Sequence, residues 1–499
     1  MMMRKYIYIW FVISLFFLNA SSCSDWFDVS PENLVEKDDL FSTDEGFRIA
    51  LNGIYLDMSD EPLYGKELTW SFVSFLAQNY DITPYSWNTL SPYIPATKYD
   101  YENTYLLKVT DAIWEKGYNT IANCNVLIQE IEKRDGSFFT QGEREKQLLL
   151  AEAKGLRALM HFDILRLFAP APIVNDNNVY IPYVTEYPTL QPERLPTSEV
   201  LENVIDDLEY AKTNLAENDT AYNAIMMTNT NYRFAPGFSG EAKGGPFFGF
   251  RGTRFNYFAA TALLARVYQY KGDNENAYKN AFEVYRYHAD KTWFKFTASS
   301  QIIIEMNNRR HTRLYDDILF AFNNSNIYSI YTTWNSANYF RSRLLIRNTT
   351  HLFGSDTDDF RLTKLIYSNY SLKWEPKTMD GWYNSSIIEI EDRLLPVIRL
   401  SEVYYIMCEY LADKDISKGI GLLQELRIAR GAKTPLDPAM PKDKFLEAVY
   451  NDATREFIIE GQTYFLYKRL NKPMYNGTTP IDMSGKYVLP LPNSERTYY

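Results

Sequence analysis

Residues Tyr257–Ala289 read YFAATALLARVYQYKGDNENAYKNAFEVYRYHA. Within them Ala265, Tyr268, Gly272 and Ala277 stand at intervals of three, four and five residues. Apolar residues recurring at three and four lay one greasy stripe along a helix. Gly272-Asp273 supplies the turn, because glycine and aspartate accept the backbone conformations that a chain reversal needs. Ala277 is then a small residue where a second helix crosses the first. The stretch predicts a helical hairpin and, with it, a mainly α fold.

These are also the intervals of the tetratricopeptide signature, so the pair is read as one unit of a helical repeat, with an ordinary hairpin as the plainer reading. Working outward, helical periodicity returns at 44–57, 108–133 and 143–168. In the last, Leu149, Ala153, Leu156, Met160, Ile164 and Leu167 form the apolar stripe. Glu152, Lys154, Arg157, Asp163 and Arg166 fall elsewhere on the wheel and are expected to face water. Ala169-Pro170 ends this helix, since proline cannot continue the hydrogen-bond ladder. Thr197-Ser198 opens another, to about Leu215. A final block is predicted from Pro396, with the stripe Val397, Leu400, Tyr404, Met407 and Leu411, followed by helices near 416–430 and 442–470. The helical parts are thus 44–215, 257–289 and 396–470. Loop-rich parts are 80–105, 216–256 and 290–395, the last with minor β character in runs such as Ile318–Phe322.

The chain begins with a basic pair, Arg4 and Lys5, then an apolar stretch from Tyr6 to Leu18, then Ala20-Ser21-Ser22 and Cys23. That order predicts a secretory signal peptide over residues 1–22. About 13 apolar residues rise only about 20 Å as a helix, short of a ~30 Å hydrocarbon core. A cysteine at the cut is expected to carry a lipid, so Cys23 would tether the chain to a membrane through residues 23–43, ahead of a body at 44–499.

The net charge is −11, and it becomes −13 once Arg4 and Lys5 leave with the signal. An acidic surface repels phosphate backbones, so nucleic acid is excluded as a partner. Hydrophobic content of 46% is ample for a core. Beyond Cys23 the chain has only Cys124 and Cys408, both in helical segments and read as buried thiols. The four histidines are scattered, and HExxH, CxxC and GxSxG motifs are absent. Six glycines lie between Gly237 and Gly252 without a following Gly-Lys-Ser/Thr, which argues for a surface loop over a phosphate cradle. Asp356-Thr357-Asp358-Asp359 lacks the spacing of a calcium loop and reads as a solvated turn. No metal or cofactor is therefore expected.

Aromatic residues crowd the proline-rich loops. Their flat apolar faces and single polar edge atoms suit sugars, and long loops run mostly over the surface. Tyr85, Trp87, Trp334, Trp374 and Trp382 are accordingly the ligand-binding candidates. No pair of carboxylates is marked out for catalysis, so a binding protein is expected and not an enzyme. A glycoside hydrolase and a tetratricopeptide-type interaction scaffold are the alternatives.

Five blocks, in order along the mature length, resemble the SusD/RagB family of outer-membrane nutrient-binding lipoproteins of Bacteroidetes. They are Cys23-Ser24-Asp25-Trp26-Phe27-Asp28 with Pro31; Glu152–Ala158 through Phe162-Asp163 to Arg166-Leu167-Phe168; Pro396–Tyr404; Arg455-Glu456-Phe457 through Glu460-Gly461 with Lys468-Arg469; and Val488–Pro492 through Glu495. Where the family shows an arginine and then an aspartate after Glu460-Gly461, this chain has Thr463 and Leu466. The resemblance implies tetratricopeptide-like helix pairs in a superhelical body, with a loop-rich, minor-β ligand region. It implies a lipoprotein on the outer membrane facing the cell exterior, partnered by a SusC-like TonB-dependent β-barrel transporter. Oligosaccharide, or failing that peptide, would be captured and handed to the barrel, with catalysis left to other proteins.

Overall fold

Helices Tyr257–Lys271 and Asn274–Ala289 form the predicted hairpin. Gly272 closes the first in the left-handed conformation, with φ +91°. Asp273 opens the second by accepting from the backbone N–H of Asn276. In this computed structural model residues 37–82, 91–174, 176–305, 308–334, 344–375, 386–492 and 495 are described. Cys23, Tyr85, Trp87 and Trp382 lie outside them. The chain divides into two units, Met1–Gly46 and Phe47–Tyr499. In the first, the described residues include the short helix Lys37–Leu40.

The second unit is a succession of helices, each packed on its predecessor. Thr104–Glu132 lies against Glu143–Phe168, which lies against Thr197–Glu217, which lies against Tyr257–Lys271. Asn274–Ala289 continues the stack onto Leu400–Lys414, and that helix onto Ile416–Ala429 and Lys442–Glu456. This is tetratricopeptide-like stacking, in which each helix buries its apolar stripe on its neighbours. Helix Thr104–Glu132 starts four residues before its predicted position, because the Asn103 side chain caps the N–H groups of Tyr105 and Leu106.

The Glu143–Phe168 helix has the predicted length but not the predicted wet face. Glu152, Arg157, Asp163 and Arg166 are all buried. Helices cover it on two sides, so its charges are matched within the protein. Arg157 binds Asp207 through two 2.8 Å hydrogen bonds and donates a third to Asn125. Glu152 meets Arg251 at 2.5 Å, and Arg251 also holds Asp219 at 2.7 Å. Arg251 and Arg254, read as loop residues, are thus buried anchors of the 216–256 segment.

Two boundaries are corrected. Leu394–Arg399 is a β-strand, paired antiparallel with Ile318–Asn323, and the helix begins at Leu400. Pro396 sits in a two-stranded sheet, where a missing N–H is tolerated. The predicted 442–470 helix is two, Lys442–Glu456 and Gln462–Arg469, separated at Gly461 with φ +79°. The Asp356–Asp359 turn is solvated only at Thr357 and Asp358, while Asp356 and Asp359 are buried. Asp356 is held by Arg427 at 2.7 Å and Arg455 at 2.6 Å, and Asp359 by Arg361 at 2.6 Å. Such buried carboxylates are neutralised by guanidinium groups rather than by a cation.

Candidate functional site

Three chain segments far apart in sequence meet at one small β arrangement. Tyr80 bridges Ile346, the N–H of Asp81 donates to Leu345 O at 2.8 Å, and Leu345 bridges Tyr370. Residues 80–81, 345–346 and 370, from three separate segments, therefore meet here. Helix Ile327–Trp334 in turn packs against Ser386–Arg393. Segments some three hundred residues apart in sequence are therefore gathered.

What they are gathered around is a group of rings centred on Tyr93. Tyr93 stacks on Phe75 with centroids 5.2 Å apart and planes at 13°. It meets Tyr105 edge-on at 5.3 Å and Trp334 at 5.7 Å. Its hydroxyl donates to Glu67 Oε1 at 2.6 Å. Burial first, and the charge of Glu67 second, push this phenol well above its ordinary pKa, so it stays a neutral donor. Lys66 Nζ sits 4.0 Å from the Trp334 ring centroid while paired with Glu67 at 3.1 Å. A desolvated ammonium over an indole fixes the ring's position. Trp70 packs edge-on to Tyr331 at 5.1 Å and donates its Nε1–H to Gly65 O.

Tyr328, Tyr331 and Trp334 follow each other at three-residue spacing on one helix. Tyr328 is exposed, Tyr331 is core, and Trp334 is half-buried at the rim. The result is a rigid aromatic ledge whose polar edge atoms are supplied by phenols, able to take a flat apolar face of a ligand by stacking.

Of the five sequence candidates, the structure places two. Trp334 stands on this ledge. Trp374 does not serve as proposed: it is 2% exposed, its Nε1–H donates to Ile459 O at 3.1 Å, and Arg313 covers its ring at 4.4 Å. It pins its loop to the body. Lys66, Trp70 and Tyr105 were not anticipated, because nothing in their local pattern separates them from ordinary helix and turn residues. Tyr80, Tyr93 and Tyr99, read as loop aromatics, are buried.

His161 and the two cysteines are structural. His161 accepts from the Val184 N–H at Nε2, which leaves Nδ1–H to donate to Arg157 O, both at 3.0 Å. Burial and the neighbouring Arg157 charge pull its pKa down to about 3, so it is neutral. Cys124 and Cys408 are buried free thiols, and burial pushes Cys124 up to about 12. Among the described residues no group of three or more His, Cys, Asp or Glu side chains is placed to hold a metal ion. Nor, among them, is any helix long and apolar enough to cross a membrane.

Residues 25–232 match a SusD-like family profile described as starch-binding and associating with the outer membrane. Two relatives from Formosa agariphila are SusD-like protein P2, 25% identical over 279 residues, and SusD-like protein P25, 24% identical over 217. These matches cover 56% and 42% of this chain, but only 46% and 37% of the relatives, so the chain spans less than half the length of either. Solved structures share the fold over more of the chain. A SusD superfamily protein from Bacteroides thetaiotaomicron superposes with a TM-score of 0.67 at 22% identity, covering 91% of this chain and 98% of that one. A SusD-like carbohydrate-binding protein from Bacteroides vulgatus does so with 0.64 at 15%, covering 91% and 96%. Over residues 25–232 the chain is thus similar to the SusD-like family, and its fold is that of the SusD superfamily structures.

Proposed function

We propose that this protein binds oligosaccharide at the outer-membrane surface and passes it to a TonB-dependent β-barrel transporter, without chemical change. The carrying observation is the half-buried pair Trp334 and Tyr105, both held edge-on by the buried ring of Tyr93. Support also comes from the family's description as starch-binding and outer-membrane associated. The scaffold alternative gains nothing from the 257–289 hairpin, whose helices are packed against Thr197–Glu217 and Leu400–Lys414.

Trp334→Ala is expected to weaken binding of neutral oligosaccharides about tenfold or more, as loss of a half-buried tryptophan anchor commonly does. Trp334→Phe should retain most of the affinity, because the stacking face survives. Isothermal titration against a panel of neutral oligosaccharides, with melting curves as the folding control, reads this out. Unchanged affinity in Trp334→Ala would refute the ledge as the binding surface.

Cys23 is proposed as the lipid attachment point, and Tyr85, Trp87 and Trp382 as further contacts. Cys23→Ala is expected to move the protein from the membrane fraction to the soluble fraction of cells producing it. A variant that still needs detergent for release would show that the anchor lies elsewhere.

A further inference from the structure

A cavity of about 360 Å³ lies beyond the Tyr80–Ile346 bridge, and it is not part of the aromatic ledge. Among the residues lining it are Asn79, Arg347, His351, Thr463, Tyr467 and Tyr475. Its volume is within the range of sites that hold small ligands.

Its polar groups are short of acceptors. Arg347 Nη1 donates to Gln78 Oε1 and Asn476 O, both at 2.9 Å, and its Nε and Nη2 have no protein partner among the described residues. Among the described residues no carboxylate lies within ion-pair distance of it. Burial depresses its pKa more than the more distant Asp81 charge restores it, as for a guanidinium that is only partly compensated. Asn79 is 9% exposed, and its Nδ2 is buried with nothing to donate to. Thr463 is 2% exposed, and its hydroxyl is likewise without a partner. Buried polar groups in folded proteins are nearly always paired, so two such orphans on one cavity point to a missing guest.

The other charges around the cavity are already matched. Glu447 pairs with Lys444 at 2.8 Å. Arg455 spends its three nitrogens on Leu352 O, Asp356 and Phe353 O. Asp356 also serves Arg427, and Asp452 lies 3.9 Å from Arg455, so these arginines are matched by carboxylates. In a chain of net charge −11, Arg347 is left on the cavity wall as a guanidinium with no ion-pair partner among the described residues. His351 and Tyr475 stack at 4.4 Å with planes at 26°, giving the wall a flat aromatic element. Donors, positive charge and a ring platform together select an acceptor-rich anion carried on a ring.

We propose that this cavity is a second ligand site, for an acidic sugar whose carboxylate or sulfate is taken by Arg347 and Asn79 while its ring lies along His351 and Tyr475. The sugar part rests on the reading of the chain as a saccharide binder; the anion part rests on the cavity alone.

Titration calorimetry with α-1,4-linked digalacturonate, its neutral counterpart digalactose, galactose 6-sulfate and inorganic sulfate tests it. One or both acidic sugars are expected to bind, and the arm that does identifies the anion. Affinity should fall as sodium chloride is raised and drop at least about tenfold in Arg347→Gln, the loss of a charge-assisted contact. Arg347→Lys keeps the charge and should bind better than Arg347→Gln, which separates recognition from damage to the fold. Acidic-sugar binding that survives Trp334→Ala and falls in Arg347→Gln supports the cavity even where neutral chains fail to bind the ledge. Digalactose binding as tightly as digalacturonate and galactose 6-sulfate would overturn the proposal, as would inorganic sulfate binding as tightly as either. So would an unchanged affinity in Arg347→Gln, or loss of acidic-sugar binding in Trp334→Ala.

Discussion

Replacing Glu456 by Gln is expected to destabilise the protein by about 3–5 kcal/mol, the usual result of removing one member of a buried ion network. Glu456 receives Arg430 at 2.5 Å and Arg361 at 2.9 Å, and all three side chains are essentially buried. Arg361 also binds Asp359 and Asp452, and Arg430 also binds Asp317. The network ties Lys442–Glu456 to the segment at Asp356–Thr363 and to the turn before the Ile318–Asn323 strand. Glutamine keeps the shape but leaves guanidinium charge in a low-dielectric interior, and those arginines cannot shed it.

The same network has a pH signature. Despite burial, the two arginines hold the Glu456 carboxyl well below its ordinary value of 4.5. Asp452, beside Arg361, and Glu460, beside Arg399 and Lys373, are lowered in the same way. A carboxylate whose folded pKa is depressed stabilises the fold above its unfolded pKa and loses that contribution as pH falls through the folded value. Asp317 works in the opposite direction, because its burial outweighs Arg430 and raises it. Three lowered groups against one raised predict a net loss of stability on acidification below about 4.5. Urea unfolding at a series of pH values should show the wild-type midpoint falling there. The gap between wild type and Glu456→Gln should narrow over the same range. A gap that is constant with pH would contradict the network's role.

Gly461→Ala is expected to cost more than about 3 kcal/mol, from backbone strain and a steric clash acting together. Gly461 has φ +79°, a conformation that L side chains rarely adopt, and a Cβ there would drive into the carbonyl oxygen of Leu68. Leu68 follows Glu67 and lies two residues before Trp70, so relief of the clash would move residues of the aromatic ledge. The variant should therefore lose oligosaccharide affinity as well as unfolding midpoint. Gly485→Ala is the control: its φ of +70° carries the strain, but open space surrounds it. That change should cost only about 1–2 kcal/mol and leave binding intact. Equal losses in the two variants would remove the close approach to Leu68 from the explanation.

Helix positions were largely legible because their causes are local. The stripe from Leu149 to Leu167 and the stop at Ala169-Pro170 locate one helix at Glu143–Phe168. Gly272 reads as a turn, and it is one. Partners were not legible. Glu152 and Arg157 read as solvated because charge is a property of a residue, whereas Asp207, Asp219 and Arg251 reach them only across a packed helix interface. Pro396 read as a helix start, yet Ile318–Asn323, some seventy residues earlier in the chain, recruits it into a strand. The aromatic candidates divide the same way. Trp334 and Trp374 are the same residue type in one stretch, 290–395, that reads as loop-rich, and only the fold sets one half-buried at the end of a helix and the other in the core.

The sequence by itself determined the helical segments, their turns, the family resemblance and the abundance of rings in its loops, since periodicity, backbone preference and composition act over a few residues. Tertiary structure decided which rings are exposed and which are core, which charges are neutralised and where a cavity forms. Those outcomes depend on contacts such as Tyr80 with Ile346 and Glu67 with Tyr93, whose partners are brought together only when the whole core closes.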